Sequence, residues 1–172
     1  MSVSIGIDQG KRMGAALVVD YVWRSIALQA DSLPGPLREF LGLIPDRETA
    51  IAWIETPDSH VMAARIGYRQ TNGGVKLSVF HHTNVNAIFQ LGVVSGRVIA
   101  LCDSFGIAHR FIAAGEVKRL VTGDPTCSKA NLALYLEAKG YELPRMPNGK
   151  PDPEQVDALA IALAGAKKME EV

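Results

Sequence analysis

The chain has 172 residues and a mass near 18.5 kDa, which is room for one domain and little more. With 48% hydrophobic residues it can bury a real core, which excludes a disordered chain. Lysine plus arginine equals aspartate plus glutamate, 18 against 18, which excludes a tail-driven nucleic-acid binder on bulk charge.

Val3 to Asp8 alternates apolar and small residues and stops at Gln9-Gly10, the pattern of a strand entering a turn. Gly14 to Val19 and Trp23 to Leu28 repeat the pattern after short connections, so the first thirty residues predict an antiparallel meander. Leu37, Phe40, Leu41 and Ile44 fall at helical spacing within Pro34 to Ile44. Ile51 to Ile54 is a short buried strand that ends on Glu55 and is stopped by Thr56-Pro57. Thr71-Asn72-Gly73-Gly74 is a turn or loop tip, with Val75 to Phe80 as either a strand or an extension beyond it. Asn84 to Leu101 is the longest helical pattern, and Gly92 and Gly96 share one of its faces. Such a pair marks close approach by another backbone, either the protein's own sheet or a second copy. His109 to Ala113 reads as a strand, Glu116 to Val121 as a helix and Gly123-Asp124-Pro125 as a loop. Ser128 caps a helix running to Lys139 and ended by Gly140, and Asn148 to Pro151 is a turn. Asp152, Pro153 and Gln155 spell the N-cap, first-turn proline and third-position partner of a capping box, opening a last helix whose apolar run is Ala158 to Ala166.

Cys102 and Cys127 have neither CxxC spacing nor a disulfide framework, so two reduced thiols are expected. MSVSIGIDQGKR lacks the basic segment and apolar run of a signal peptide. No apolar stretch reaches the roughly 18 residues of a membrane span. The expectation is a cytoplasmic protein with no membrane partner.

The neutral total hides an uneven distribution. Residues 60–129 carry eight basic and three acidic side chains, while residues 1–59 carry five and eight and residues 130–172 five and seven. This is either ordinary sampling of solvated surface or a site where carboxylates meet a cationic face, which suits metal-dependent work on a polyanion. The carboxylates in question are Asp8 and Glu55 at two strand ends, and Glu154 and Asp157 three apart on the last helix. Asp8 also suits the turn after it, Glu55 a solvated strand end, and Glu154 the positive end of a helix. Asp152 is accounted for as the N-cap and stays outside the set. Asp157 heads an apolar run, and burying it unpaired costs several kcal/mol. A bound dication is the simplest compensation, and Mg²⁺ takes oxygen ligands of this kind.

Ile5-Gly6-Ile7-Asp8-Gln9-Gly10, Ile54-Glu55 and Glu154-Gln155-Val156-Asp157-Ala158-Leu159-Ala160, in that order, resemble the RuvC-type Holliday junction resolvases of the ribonuclease H-like superfamily. Leu91-Gly92 with Gly96 looks like the family's long helix, and Val117-Lys118-Arg119 with Ser128-Lys129 like its basic segment. The opening motif also begins sugar-kinase and actin-like ATPases, which need two such domains and so a longer chain. The resemblance implies an α/β, ribonuclease H-like fold: a mixed five-stranded sheet, an antiparallel meander plus parallel strands, flanked by helices. It implies that Asp8, Glu55, Glu154 and Asp157 hold two Mg²⁺, with Mn²⁺ able to substitute. Lys118, Arg119 and Lys129 would contact DNA, and Lys129 would steady charge at the cut. It implies a homodimer acting on branched DNA, preferentially four-way junctions.

The sequence departs from the family in two places. Glu154 stands where cellular members usually have aspartate. Residues 57–83 look longer than the family norm and carry Arg65, Arg69 and Lys76, so an inserted hairpin touching DNA and a functionless surface insertion are both open. These departures admit a viral or mobile-element member with broader branched-DNA cleavage. Two other readings remain: an RNA-processing nuclease of the same superfamily, and a non-catalytic branched-DNA- or protein-binding module. His81-His82 lacks the spaced partners of a metal site.

Overall fold

The computed structural model describes residues 2–19, 22–56, 65–71, 74–80 and 85–171, with backbone only for 65–80 and 85–88. Among the described residues, seven strands and five α-helices follow in the order β1 (Val3–Asp8), β2 (Arg12–Val19), β3 (Val22–Gln29), α1 (Gly35–Gly42), β4 (Ala50–Thr56), β5 (Arg65–Thr71), β6 (Gly74–Phe80), α2 (Val85–Ser104), β7 (Ala108–Ala113), α3 (Ala114–Thr122), α4 (Lys129–Ala138) and α5 (Pro153–Glu170). Five strands form one sheet in the order β3-β2-β1-β4-β7. β1, β2 and β3 pair antiparallel as the predicted meander, and β1–β4 and β4–β7 pair parallel. β5 and β6 form a separate antiparallel hairpin in which Thr71 pairs with Gly74. No helix among the described residues is long and apolar enough to cross a membrane.

Strand alternation divides β1 between two cores. Val3, Ile5 and Ile7 are fully buried with Leu37, Phe40 and Leu41 of α1 and Val98, Leu101 and Cys102 of α2. The sheet's other face, through Ala16, Val18, Trp53 and Ile112, shares a second core with Val117 and Val121 of α3, Leu132 and Leu136 of α4, and Val156 and Ala158 to Ala162 of α5. Cys102 and Cys127 are both free thiols.

The second face is where the sequence is unusual. From β1 it presents Ser4 and Gly6, and the Ser4 hydroxyl donates to the Ala162 carbonyl of α5 at 2.6 Å. A Cβ at Gly6 would run into the Ala158 carbonyl and the Ala162 amide, and one at Gly14 of β2 into the Glu154 carbonyl. At the far end of α5, a Cβ at Gly165 would enter the Trp53 indole of β4. A helix rich in alanine thus lies on strands that carry glycine, backbone almost against backbone.

The glycines singled out in the sequence behave otherwise. Gly92 and Gly96 have nothing within 4 Å of where a Cβ would stand, so among the described residues no backbone of this chain approaches them. The capping box is half made. Asp152 accepts from the Glu154 and Gln155 amides, but the Gln155 side chain turns to accept from Ser25 at 2.8 Å. The Asp152 amide donates instead to the Pro144 carbonyl at 2.8 Å.

The close approach of α5 sets an order of sensitivities. Gly6→Ala, a single methyl against backbone that cannot yield, is expected to cost about 3 kcal/mol. Ser4→Ala, which removes one buried hydrogen bond, should cost about 1 kcal/mol. Urea unfolding of the two variants checks the order.

Candidate active site

The ladder that seats α5 also delivers the first carboxylate. Ser4, Gly6 and Asp8 occupy every second position of β1, so Asp8 continues the face that meets α5, one step beyond Gly6. The parallel register runs from Val3 opposite Ala50 to Ile7 opposite Ile54, so the next step sets Asp8 level with Glu55 on neighbouring strands. Glu55 shares its face of β4 with Trp53, which packs against Gly165 of α5. From the helix side, Glu154 and Asp157 stand in the first turns of α5, and Asp157 is 8% exposed.

The Asp8 carboxyl feels the charges of all of these groups. The Asp8 carboxyl is pushed up from 3.8 to about 7, first by burial and then by the negative charges of Asp157 and Glu55, with Glu154 adding to them and Lys129 opposing. Among the described residues, three carboxylates act against the Asp8 charge and Lys129 acts for it.

Two cations are drawn in. Lys129 is the first residue of α4, whose N-cap Ser128 accepts from the Asn131 amide at 3.2 Å. Its ammonium donates to the Asp157 carboxylate. Partial burial works against the Lys129 charge, but Asp157, Asp8 and Glu55 outweigh it and hold the ammonium above its usual range. The second cation, Arg12 at the start of β2, was not among the residues the sequence pointed to. It pairs with Asp152 and stands 3.5 Å from Glu154 through a second nitrogen. Its signal in the sequence is slight: a Lys-Arg pair just beyond the turn that follows a strand-end carboxylate.

The remaining expectations divide. Lys118 and Arg119 lie on α3, half-buried and exposed respectively, and neither pairs with the carboxylates. Lys118 acts instead on Asp124. In the β5–β6 hairpin Arg69 pairs in register with Lys76, and Arg65 lies four residues before Arg69, so the three positions share one face. His81-His82 and Asn72-Gly73 lie outside the described residues. With Asp157 on Lys129 and Glu154 beside Arg12, no three His, Cys, Asp or Glu side chains among the described residues are gathered into a single metal-holding group.

The donor chemistry nevertheless fits a divalent cation of the Mg²⁺ type. All four groups are hard oxygen donors, the described charges acting on Asp8 are short of positive ones, and Glu154 Oε2 is buried without a hydrogen bond. The same shortage predicts a pH dependence of stability. The folded chain holds the Asp8 proton more tightly than the unfolded chain does. In chelator, stability should therefore fall as pH rises from 3.8 towards about 7. Asp8→Asn removes the penalty, so at pH 8 it is expected to unfold at higher urea than the parent, by about 2–4 kcal/mol, with the difference gone near pH 3.

No protein-family model matches the sequence, and no curated protein matches it. Among solved structures, the chain is similar to RuvC of Thermus thermophilus in complex with a Holliday junction substrate: TM-score 0.66 at 16% identity, over 99% of this chain and 96% of that one. A second Thermus thermophilus RuvC structure gives a TM-score of 0.64 at 15% identity, over 98% of this chain and 96% of that one. The mixed sheet flanked by helices is therefore the ribonuclease H-like fold of these RuvC structures.

Proposed function

We propose that the protein is a divalent-metal-dependent endonuclease that cuts branched DNA, four-way junctions in preference. The observation that carries this reading is half-buried Asp8, level with Glu55 by strand register and acted on by the charges of Asp157 and Glu154, with Lys129 paired to Asp157, on a fold shared with a protein solved in complex with a Holliday junction. Asp8, Glu55, Glu154 and Asp157 would hold two Mg²⁺, or Mn²⁺ in their place, which supply Lewis acidity to a phosphodiester and to the water that attacks it.

The chain's own groups account for the rest. Lys129 has a side chain 67% exposed, so its ammonium can leave Asp157 for a phosphate oxygen and steady the charge that develops there. That exchange frees Asp157 as a ligand. Arg12 holds Glu154 at the rim through the longer side chain that replaces the family's usual aspartate. Lys118 and Arg119 on α3, and Arg65, Arg69 and Lys76 on the hairpin, would meet phosphates further along the DNA. Symmetric cutting of a four-way junction requires two sites, hence a homodimer. The open α2 face is the candidate interface, with Phe89 67% exposed beside Gly92 and Gly96.

Four outcomes test this reading. Wild-type chain with Mg²⁺ is expected to cut a four-way junction faster than a DNA flap or structured RNA. Asp8→Asn should lose at least about 1,000-fold in cleavage while still retarding junction DNA in a gel. An unimpaired Asp8→Asn enzyme refutes the reading. Mg²⁺ should raise the urea midpoint of the parent chain and leave that of Asp8→Asn unmoved, a signal of metal binding independent of activity. Finally, Gly92→Arg should convert a dimer to a monomer in sedimentation without loss of the folded signal.

A further inference from the structure

Beside the carboxylates lies a groove of about 500 Å³, within the size range of small-ligand sites, that the cleavage chemistry does not use. It runs between α4, the turn before α5 and the first turns of α5. Lys129 and Asp157 form one end of it, so it opens directly onto the candidate active site. Its floor is apolar: Ala133 and Leu134 from α4, Pro151 from the turn and Val156 from α5. Leu134 is 63% exposed, a large aliphatic side chain left largely uncovered by the described residues.

The rim is cationic and held in place. Lys129, Arg145 and Lys150 line the groove, against the carboxylates of Asp157, which Lys129 occupies, and Glu137. Arg145 donates to Glu137 at 2.6 Å and to the Gly149 carbonyl at 2.8 Å. The Met146 amide donates to the Lys150 carbonyl at 2.8 Å, and Gly149 takes the positive φ of 79° that closes this turn. Lys150 is therefore presented from a fixed turn, exposed and with no ion pair among the described residues.

We propose that this groove receives one unstacked nucleotide of the branched DNA, its base on Leu134 and its neighbours and its flanking phosphate on Lys150. The proposal rests on the nuclease reading and deepens it. An apolar floor with one unpaired cation, Lys150, at its rim and Lys129 beside Asp157 matches a ligand with a flat apolar body and an anionic edge. A branch point offers such a nucleotide cheaply, because its bases have already lost stacking partners. An apolar peptide would use the floor and leave Lys150, the rim cation with no ion pair among the described residues, without a partner. The groove thus gives a physical basis for choosing branched over continuous duplex DNA.

The test uses four-way junctions carrying 2-aminopurine at successive nucleotides around the branch point, bound to the full chain with Asp8→Asn to prevent cutting. No aromatic side chain among the described residues lines the groove, so a captured base is not quenched there. A several-fold rise in fluorescence is expected at one position. Leu134→Glu in the same background should abolish that rise while leaving junction affinity within about threefold, since the phosphate contacts remain. Lys150→Glu should lower the slope of log affinity against log salt by about one. The proposal is overturned if no position brightens, if the rise survives Leu134→Glu, or if Lys150→Glu leaves the slope unchanged. A wild-type chain that cuts junctions but brightens no position retains the nuclease reading and loses the groove. A chain that does not bind branched DNA at all loses both.

Discussion

The structure depends on how closely α5 lies against β1 and β2. Gly6 and Gly14 have no side chains to hold the helix off, and their α-carbons face the backbone of Ala158, Ala162 and Glu154. Alanine along the contact face of α5 keeps the helix equally slender, and Trp53 against Gly165 fixes its far end. The intimacy has a consequence at the other end of the helix. The first turns of α5 come to rest beside the tip of β1, so Asp157 and Glu154 share an environment with Asp8. With an ordinary side chain at position 6 or 14, helix and strand would stand apart and the carboxylates would separate with them.

Bringing like charges together has an electrostatic cost, and the response of the surroundings is informative. Burial and the neighbouring carboxylates move Asp8 to about 7, so part of the repulsion is relieved by a proton. Lys129 relieves more at Asp157, and Arg12 at Glu154. Neither cation is deep: their side chains are 67% and 38% exposed. Each is in a position to give way to a competing ion. A site of this kind is less stable than an apolar replacement would be, which is the usual sign of a group kept for chemistry.

Some of this was legible beforehand. The meander, the buried strand ending at Glu55 and the final helix with its Asp152 cap follow from alternation, turn residues and capping chemistry, all of which act over a few residues. The hairpin strand Val75 to Phe80 was equally local. The glycines were harder. A GxxxG-like pair in α2 looks like a packing face, yet Gly92 and Gly96 meet nothing of this chain, whereas Gly6 and Gly14 sit in strands where a glycine first suggests a turn or a bulge. Which glycine faces a helix is settled by strand register and by the path of a segment some 150 residues away. Arg12 escaped notice for the same reason, since its partners Asp152 and Glu154 are remote in sequence.

The sequence by itself determined the elements and the inventory of the site: which residues form strands, where the carboxylates end them, and that Asp157 heads an apolar helix and so requires compensation. Tertiary structure alone decided which charges compensate which. The parallel register of β1 and β4 sets Asp8 level with Glu55, α4 brings Lys129 to Asp157, and β2 brings Arg12 to Glu154. The physical reason is one of range. Propensity and capping are fixed by neighbours along the chain, whereas electrostatic pairing depends on distances through space that only the packing of helix on sheet defines.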